Sequence, residues 1–202
     1  MTTAEKLDTR ETILKAAADR ILHYGYGKTT MSEIASDCGM SAGNIYRFFP
    51  SKIDIAEAMT RRFAAESLVT YQAIMRDPHR SAFQKLQDFF TFRLERTFNM
   101  FDRNPKLIEL AHIMAQERPA FIAEELMQER LLIEAILAEG VEKGDFAPIE
   151  STAFTAEITQ CATMKFRFPQ FWSRLSLNVL RHEIDGLMLL VLNGLSSRKT
   201  AG

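Results

Sequence analysis

Residues 28–52, KTTMSEIASDCGMSAGNIYRFFPSK, decide the fold of the N-terminal part of this chain. Their pattern predicts two short helices joined by a tight turn. Thr30 followed by Glu33 is typical of a capping box, in which the threonine hydroxyl accepts from the backbone N–H of Glu33 and the glutamate carboxylate reaches back to the start of the helix. Gly39 stands where this first helix has to end, because glycine adopts a positive φ without strain.

The second helix of the pair is predicted over 42–48, with Ser41 as its N-cap. Its first turn consists of Ala42, Gly43 and Asn44 and carries almost no side-chain bulk. A helix that begins this way can bring its N-terminus close to base edges in the major groove, as the second helix of a helix-turn-helix does. The segment therefore predicts a DNA-binding helix-turn-helix.

Thirteen residues in this stretch occur in a specific order and spacing, with no insertion or deletion: Thr29-Thr30, Ile34-Ala35, Gly39-Met40-Ser41, Gly43, Ile45-Tyr46, Phe49 and Ser51-Lys52. In this order they resemble the DNA-binding signature of TetR-type bacterial transcriptional regulators. The preceding segment, 11–27, looks like the first helix of that family. The sequence departs from the family pattern at Cys38, where alanine is usual, and at Arg47-Phe48, which replace an aromatic–histidine pair.

The composition limits the classes of function. A chain of 202 residues with 47% hydrophobic content can bury a substantial core. Because the net charge is −1, DNA binding would depend on the local placement of basic side chains. The polar start, 1–11, lacks the apolar run of a secretory signal, and the longest apolar stretch, 187–192, is too short to span a bilayer. With two cysteines far apart in sequence, these features predict a cytoplasmic protein with reduced thiols and no membrane partner.

Helical spacing of apolar residues continues to the C-terminus, and no convincing strand pattern appears. Asp8, with Glu11 three residues later, predicts the start of the first helix. We expect an all-α chain of about nine helices, with a three-helix DNA-binding domain at 1–53. The resemblance implies that the larger helical domain, 54–202, binds a ligand and dimerises. Beyond the helix-turn-helix, the predicted helices run from about 51 to 75, 83 to 101, 106 to 116, 119 to 144, 150 to 166 and 176 to 197.

Side-chain chemistry and the resemblance together suggest which residues contact DNA. The Asn44 carboxamide can pair bidentately with adenine, and the resemblance suggests that Tyr46 donates its phenol to a phosphate. Lys52 opens the next helix and predicts a phosphate contact. Thr30 has the alternative role of a cap alone, and Arg47 that of a solvated surface residue. The predicted contact set is Thr30, Ser41, Ala42, Gly43, Asn44, Tyr46, Arg47 and Lys52.

The last predicted helix is apolar over much of its circumference, so that it needs cover on more than one side. One interpretation is burial within a single subunit. The other, which the resemblance implies, is a homodimer in which the helices at 150–166 and 176–197 form a four-helix bundle with their twofold mates. Such a pair would bind a near-palindromic operator with half-sites about 34–36 Å apart or a multiple of that. The predicted interface residues are Phe154, Ile158, Cys161, Ile184, Leu187, Met188, Val191 and Leu195.

The resemblance also implies that a small-molecule effector binds in the larger helical domain and lowers the affinity for DNA. Phenylalanine and methionine side chains could supply adaptable walls, and a few polar groups could orient a polar or acidic part of the ligand. The alternative is that these residues form ordinary core. The acidic stretch 104–145 suggests either a cationic effector or a solvated helix face. The predicted pocket residues are Phe89, Phe92, Arg93, Arg96, His112, Met114, Phe121, Gln160 and Met164.

Catalysis is not indicated by any motif. The four histidines lie far apart in sequence, and no Cys/His cluster has the spacing of a metal site. There is no glycine-rich phosphate loop and no GxSxG elbow. We therefore expect no enzyme activity, cofactor or metal, and the resemblance favours a repressor. The alternative is a helical protein-interaction module that does not bind DNA specifically.

Overall fold

A computed structural model describes residues 3–172 and 174–196, and within these residues the secondary structure is helical without any strand. This confirms the all-α prediction. The nine α-helices are α1 (Thr3–Tyr24), α2 (Met31–Asp37), α3 (Ala42–Ile45), α4 (Lys52–Arg76), α5 (Ala82–Arg103), α6 (Leu107–Glu117), α7 (Pro119–Lys143), α8 (Thr152–Ala162) and α9 (Leu177–Leu195). Two short 3-10 helices, Met164–Phe166 and Pro169–Phe171, lie between α8 and α9.

Local chemistry explains how the short helix α2 begins and ends. Thr30 Oγ1 accepts from the Glu33 backbone N–H at 3.3 Å, and the Thr30 N–H donates to Glu33 Oε2 at 2.9 Å. The predicted capping box is therefore confirmed. Gly39 follows the C-cap with φ +65°, and the next N–H, that of Met40, returns to the carbonyl of Ala35 at 3.0 Å. Glycine meets this left-handed conformation at little cost.

Three helix boundaries differ from the sequence prediction by more than two residues, one of them the end of α8, which lies at Ala162 and not near 166. The first helix already begins at Thr3, so that Asp8 lies inside it, with its carbonyl accepting from the Thr12 hydroxyl at 3.0 Å. The second helix of the helix-turn-helix pair ends at Ile45, and 46–48 continue as turns. After Ile45 the backbone tightens, since the N–H groups of Arg47 and Phe48 donate three positions back, to Asn44 and Ile45, at 3.1 and 3.0 Å.

The chain divides into two compact units, one of residues 1–65 and 100–123 and the other of residues 66–99 and 124–202. The whole helix-turn-helix lies in the first unit, and α6 belongs to that unit as well. Three helices, α4, α5 and α7, each start in one unit and end in the other. The first unit therefore contains more than the DNA-binding motif.

The first unit has two apolar cores. One lies beneath the helix-turn-helix and joins α1, α2 and α3 to the start of α4. The other joins the end of α1 and the start of α4 to α6. The first core consists of Ile13, Leu14, Ala17, Met31, Ile34, Ala35, Ile45, Phe49 and Ile55, and the second of Ile21, Tyr26, Ile53, Ala56, Leu110, Met114 and Phe121.

The second unit buries apolar residues from α5, α7, α8 and α9, among them Leu86, Phe90, Leu94, Ile133, Ile136, Ala156, Leu180 and Ile184. It also buries a lysine. The Lys85 ammonium donates to the Met75 carbonyl at 2.7 Å and to both oxygens of the Glu139 carboxylate at 2.8 and 2.9 Å. Because a buried charge is costly unless it is paired and hydrogen-bonded, this arrangement holds the start of α5 firmly to α7.

Candidate nucleic-acid interface

The start of α3 forms an exposed tip of low bulk. Ser41, Ala42 and Gly43 are all exposed, and the Ser41 hydroxyl makes no capping bond to the helix. Immediately behind the tip, Ile45 is fully buried and Phe49 is 2% exposed, both in the core beneath the motif. These two anchors fix the direction of the helix, so that its N-terminal N–H groups face solvent.

Gly43 has no structural partner that would explain its presence. A Cβ atom built on it meets no atom within 4 Å, and its φ does not lie in the left-handed region. Glycine in a helix is less favourable than alanine by about 0.5–1 kcal/mol. Within the described residues, nothing in the fold compensates for this cost. The fold itself therefore gives no reason for the absence of a side chain at this position.

Three polar side chains follow the tip. Tyr46 is 52% exposed, Arg47 is exposed and Asn44 is half-buried. Among residues 3–172 and 174–196, none of the three side chains makes a hydrogen bond to the protein. Their donors and acceptors are therefore available to a ligand, as the predicted DNA contacts require. Thr30 is also exposed, although its hydroxyl already serves the capping box of α2.

Arg10 supports the tip from behind, a role that the sequence did not indicate. Its Nη1 donates to the Phe48 carbonyl at 2.6 Å, and its guanidinium lies 4.1 Å from the centroid of the Phe49 ring. The contact joins α1 to the turn after α3 across 38 positions of sequence. No local pattern marks such a contact, because Arg10 lies in an ordinary stretch of helix.

Lys52 is more firmly held than a free phosphate-binding lysine. Its Nζ donates to the carbonyls of Tyr26 and Thr29, both at 2.7 Å, and lies 4.1 Å above the Tyr26 ring. Burial lowers the pKa of the Lys52 ammonium below its ordinary value. Two of its three N–H groups are thus used to tie the start of α4 to the loop before α2, and one remains for a phosphate.

Ion pairs join helices within the first unit. The Arg20 guanidinium on α1 contacts the carboxylates of Asp37 at 2.5 Å and Glu33 at 3.3 Å, both on α2. The Arg118 guanidinium, just after α6, contacts Asp54 at 2.8 Å and Glu57 at 3.0 Å on α4. Hydrogen bonds from Ser51 and Arg118 lower the pKa of the Asp54 carboxyl. The second pair of contacts connects α6 to the helix that directly follows the DNA-binding motif.

The predicted dimer residues separate into two groups. Phe154 is 62% exposed, Ile158 is 51% exposed and Cys161 is exposed, so that α8 presents an apolar stripe to solvent. On α9, Leu187 and Val191 are half-buried. The three remaining residues, Ile184, Met188 and Leu195, are already buried within the chain, at 1%, 1% and 8% exposure. They are core residues and offer almost no surface to a partner.

A different face of α9 is exposed instead. Its apolar members are Val179, Leu189 and Leu190, at 43%, 60% and 71% exposure. The predicted set on α9 instead included Ile184 and Met188, which face the core of the same chain. One apolar face of α9 is thus buried within the subunit, and a second is exposed, so that the predicted homodimer contact stays a prediction.

The predicted pocket residues do not all lie in one unit. Met114 and Phe121 are buried in the second core of the first unit, and His112 is exposed on α6 in the same unit. The structure therefore does not bring these three together with the remaining predicted pocket residues. The other six lie in the second unit: Phe89, Phe92, Arg93, Arg96, Gln160 and Met164. Of these, Gln160 already uses its side-chain amide within the fold, since the amide donates to the Leu126 carbonyl at 2.8 Å.

Comparison with known protein families decides the class of protein. Residues 13–59 match the family described as bacterial regulatory proteins, tetR family, and residues 82–188 match the tetracyclin repressor-like C-terminal domain. The chain belongs to the TetR family. The first match contains α2, α3 and the start of α4, and the second extends from α5 into α9.

Individual proteins that are similar to this TetR-family chain are also transcriptional regulators. It is 25% identical over 143 residues to the HTH-type transcriptional repressor KstR2 of Mycobacterium tuberculosis, covering 69% of this chain and 70% of that one. It is 36% identical over 80 residues to the HTH-type transcriptional repressor BepR of Brucella suis, covering 39% and 38%. A transcriptional regulator of the TetR/AcrR family from Thermobifida fusca shares its fold, with a TM-score of 0.70 and 23% identity over 93% of this chain and 98% of that one.

The chain is therefore a DNA-binding transcriptional regulator of the TetR type, a family of regulators rather than enzymes. The interaction-module alternative is not favoured. Within the described ranges, no group of three or more His, Cys, Asp or Glu side chains could hold a metal ion. In the same part of the chain, the helices all fall short of the length and apolar character that crossing a membrane requires.

Proposed function

We propose that this protein is a repressor that binds a near-palindromic operator as a homodimer and is released by a small-molecule effector. The observation that carries the proposal is the exposed, nearly bare tip of α3. Gly43 lowers the stability of α3 without filling any need of the fold, whereas a DNA groove would need the space. Relatives named as transcriptional repressors support repression over activation. Since operators lie on chromosomal DNA, the protein would work in the cytoplasm.

The residues around the tip would divide the work of binding. The Asn44 carboxamide would read a base edge, with adenine as the partner that it fits best. Tyr46, Arg47 and Ser41 would position the helix through phosphate contacts, which carry no sequence information of their own. Lys52 would add a phosphate contact with its remaining N–H while holding α4 in place.

The dimer would form through the exposed apolar stripes of α8 and α9. Phe154 and Ile158 lie four positions apart on α8, so that they share one face of that helix. Leu189 and Leu190 supply the largest exposed apolar side chains of α9. Exposed patches of this kind mark interaction sites in proteins that have to stay in solution. A twofold axis through such a patch would place two identical tips toward one duplex.

Effector release requires that the effector and the operator favour different arrangements of the two tips. A coupling of about 1–3 kcal/mol lowers the operator affinity by about 5- to 150-fold. The chain passes between the two compact units through α4, α5 and α7. We infer that α4 is the main route, because it begins directly after the motif and is tied to α6 by Arg118.

A direct test is to select bound duplexes from a random library and to measure their affinity by fluorescence anisotropy for the parent protein and for Asn44→Ala. We expect the variant to lose about 1–3 kcal/mol, mainly at one base pair of each half-site. Asn99→Ala, an exposed asparagine within α5, is the matched control and should bind like the parent. An unchanged base preference in Asn44→Ala would remove this side chain from the reading set, and a failure to enrich any duplex would refute the proposed function.

A further inference from the structure

The second unit contains a buried arginine whose bonding is incomplete. Arg93 on α5 is only 3% exposed. Its Nη1 donates to Glu129 Oε2 at 3.3 Å and its Nη2 to the Thr163 carbonyl at 3.0 Å. Its Nε is buried and has no hydrogen-bond partner among the described residues. An unsatisfied buried donor on a charged group costs more than one on a neutral group, so that this N–H needs an explanation.

The charges around Arg93 are not balanced. Glu129 accepts from Arg93 through one carboxylate oxygen and from Arg167 through the other. Two guanidinium groups thus share one carboxylate, which leaves one positive charge in excess. Because the Arg93 side chain is 3% exposed and that of Arg167 19%, most of this excess charge lies away from solvent, where an unpaired charge is unfavourable. A third guanidinium, that of Arg96, lies one turn further along α5 and bonds Glu66, which is largely exposed.

The phenol of Tyr71 and the rings of Phe89 and Phe92 lie in the same unit as Arg93. Tyr71 is 5% exposed, and burial, followed by the charge of Glu129, raises the pKa of its phenol against the opposing effect of Arg93, Arg167 and Arg96. Its hydroxyl makes no hydrogen bond within residues 3–172 and 174–196. The Tyr71 ring stacks on Phe89 at 4.3 Å between centroids and meets Phe92 edge-on at 5.3 Å. Adjoining residues of α4 and α5 in the second unit therefore supply an unused N–H donor, an unused O–H donor, excess positive charge and apolar surface.

We propose that Arg93, Arg167 and Tyr71 bind the carboxylate of an apolar organic acid, and that this class of compound is the effector. The role as effector rests on the proposed function, whereas the binding of a carboxylate is inferred from the side chains of the site alone. A carboxylate accepts from a guanidinium fork and a phenol at once, and it supplies the missing negative charge. The rings of Phe89 and Phe92 would contact the apolar body of the acid.

A cationic effector does not fit this place. The acidic stretch 104–145 suggested one from sequence, but the carboxylate of that stretch that reaches Arg93 is Glu129, which is already shared by two arginines. Adding a third cation would increase the excess charge. A neutral ligand could use the phenol but would leave the charge unbalanced.

The single tryptophan offers a readout that needs no DNA. Trp172 lies in the same unit, is 4% exposed and stacks on Phe98 at 5.4 Å. Its fluorescence and the melting temperature would be followed during titration with straight-chain carboxylates from butyrate to dodecanoate. The matched primary alcohols and amines, with the same chains, are the comparison. We expect saturable binding for at least one carboxylate, with at least about tenfold weaker binding of its alcohol and amine.

Variants then test whether Arg93 contacts the carboxylate. Arg93→Met should weaken carboxylate binding by about tenfold to a hundredfold and bring it level with the alcohol. Arg103→Met, an exposed arginine at the end of the same helix, should bind like the parent. Should Arg93→Met fail to fold, Tyr71→Phe removes only one hydroxyl and should still lower the preference for the carboxylate over its alcohol.

The outcomes separate this inference from the proposed function. Three results would each overturn the site. They are equal binding of carboxylates and alcohols, no response to any carboxylate, and an undiminished preference for the carboxylate over its alcohol in both Arg93→Met and Tyr71→Phe. Carboxylate binding that depends on Arg93 but leaves operator affinity unchanged supports the site and removes the effector role. Binding that also releases the operator, and does so in the parent and Arg103→Met but not in Arg93→Met, supports both.

Discussion

Gly43→Ala should make the protein more stable and a weaker DNA binder. The new Cβ meets no atom of the protein within 4 Å, and the position is helical and exposed. Replacing glycine by alanine there should stabilise the fold by about 0.5–1 kcal/mol. For a chain of this size that corresponds to a rise in melting temperature of about 1–4 °C. In the complex the same methyl group would stand between the helix tip and the duplex.

The expected loss of operator affinity follows from the contacts that the methyl group displaces. If it moves the tip enough to break one charge-assisted hydrogen bond to phosphate, the loss is about 1.5–3 kcal/mol, or about 10- to 150-fold. Calorimetry measures the stability and anisotropy the affinity. Asn99→Ala serves as the control, because it also raises helix propensity at an exposed position but lies far along the chain from α3. A variant that melts higher and binds the operator as tightly as the parent would refute the reasoning.

Three other perturbations test separate parts of the account. Lys52→Ala should lower the melting temperature, because two hydrogen bonds to backbone carbonyls are lost, and should reduce the slope of log affinity against log salt by about one; parallel salt plots would leave Lys52 with a structural role alone. Leu190→Asp should raise the dimer dissociation constant at least about a hundredfold in sedimentation, since the change occurs twice in a symmetric interface. Met127→Asp, at a methionine on α7 that is 59% exposed compared with 71% for Leu190, should not. Glu33→Gln should flatten the fall of the melting temperature in acid: hydrogen bonds from Thr30 lower the Glu33 pKa below its ordinary 4.5, so that the stabilisation is full above that pH and is lost as the pH falls through the folded-state value. If the melting temperature of Glu33→Gln fell with decreasing pH as steeply as that of the parent, the result would argue against this role of the carboxylate.

Local chemistry made the DNA-binding motif predictable. The Thr30 capping box and the turn at Gly39 depend on residues a few positions apart, and both are present in the structure. The predicted end of α3 at 48 was wrong, because the backbone after Ile45 continues in tighter turns, which the spacing of apolar residues does not distinguish from an α-helix. The Arg10 contact to Phe48 joins residues 38 positions apart, and no spacing rule reports on such a pair.

The larger domain was less predictable because its site depends on tertiary packing. The pattern of α9 correctly indicated two apolar faces, but nothing local says which of them the same chain covers. Ile184 is buried and Leu190 is exposed for that reason. Likewise Phe121 has the appearance of a pocket residue in sequence but belongs to the core of the DNA-binding unit. The pairing of Arg93 with Glu129, across 36 positions, becomes visible only in the folded chain.

The central claim is that two identical α3 tips, one from each protomer, occupy one symmetric stretch of duplex. Native mass spectrometry of the complex with a selected duplex counts the protomers, and hydroxyl-radical footprinting of the same complex measures the separation of the protected half-sites. The account predicts an even number of protomers and two related half-sites about 34–36 Å apart or a multiple of that. A single protomer bound to a site without symmetry would contradict it.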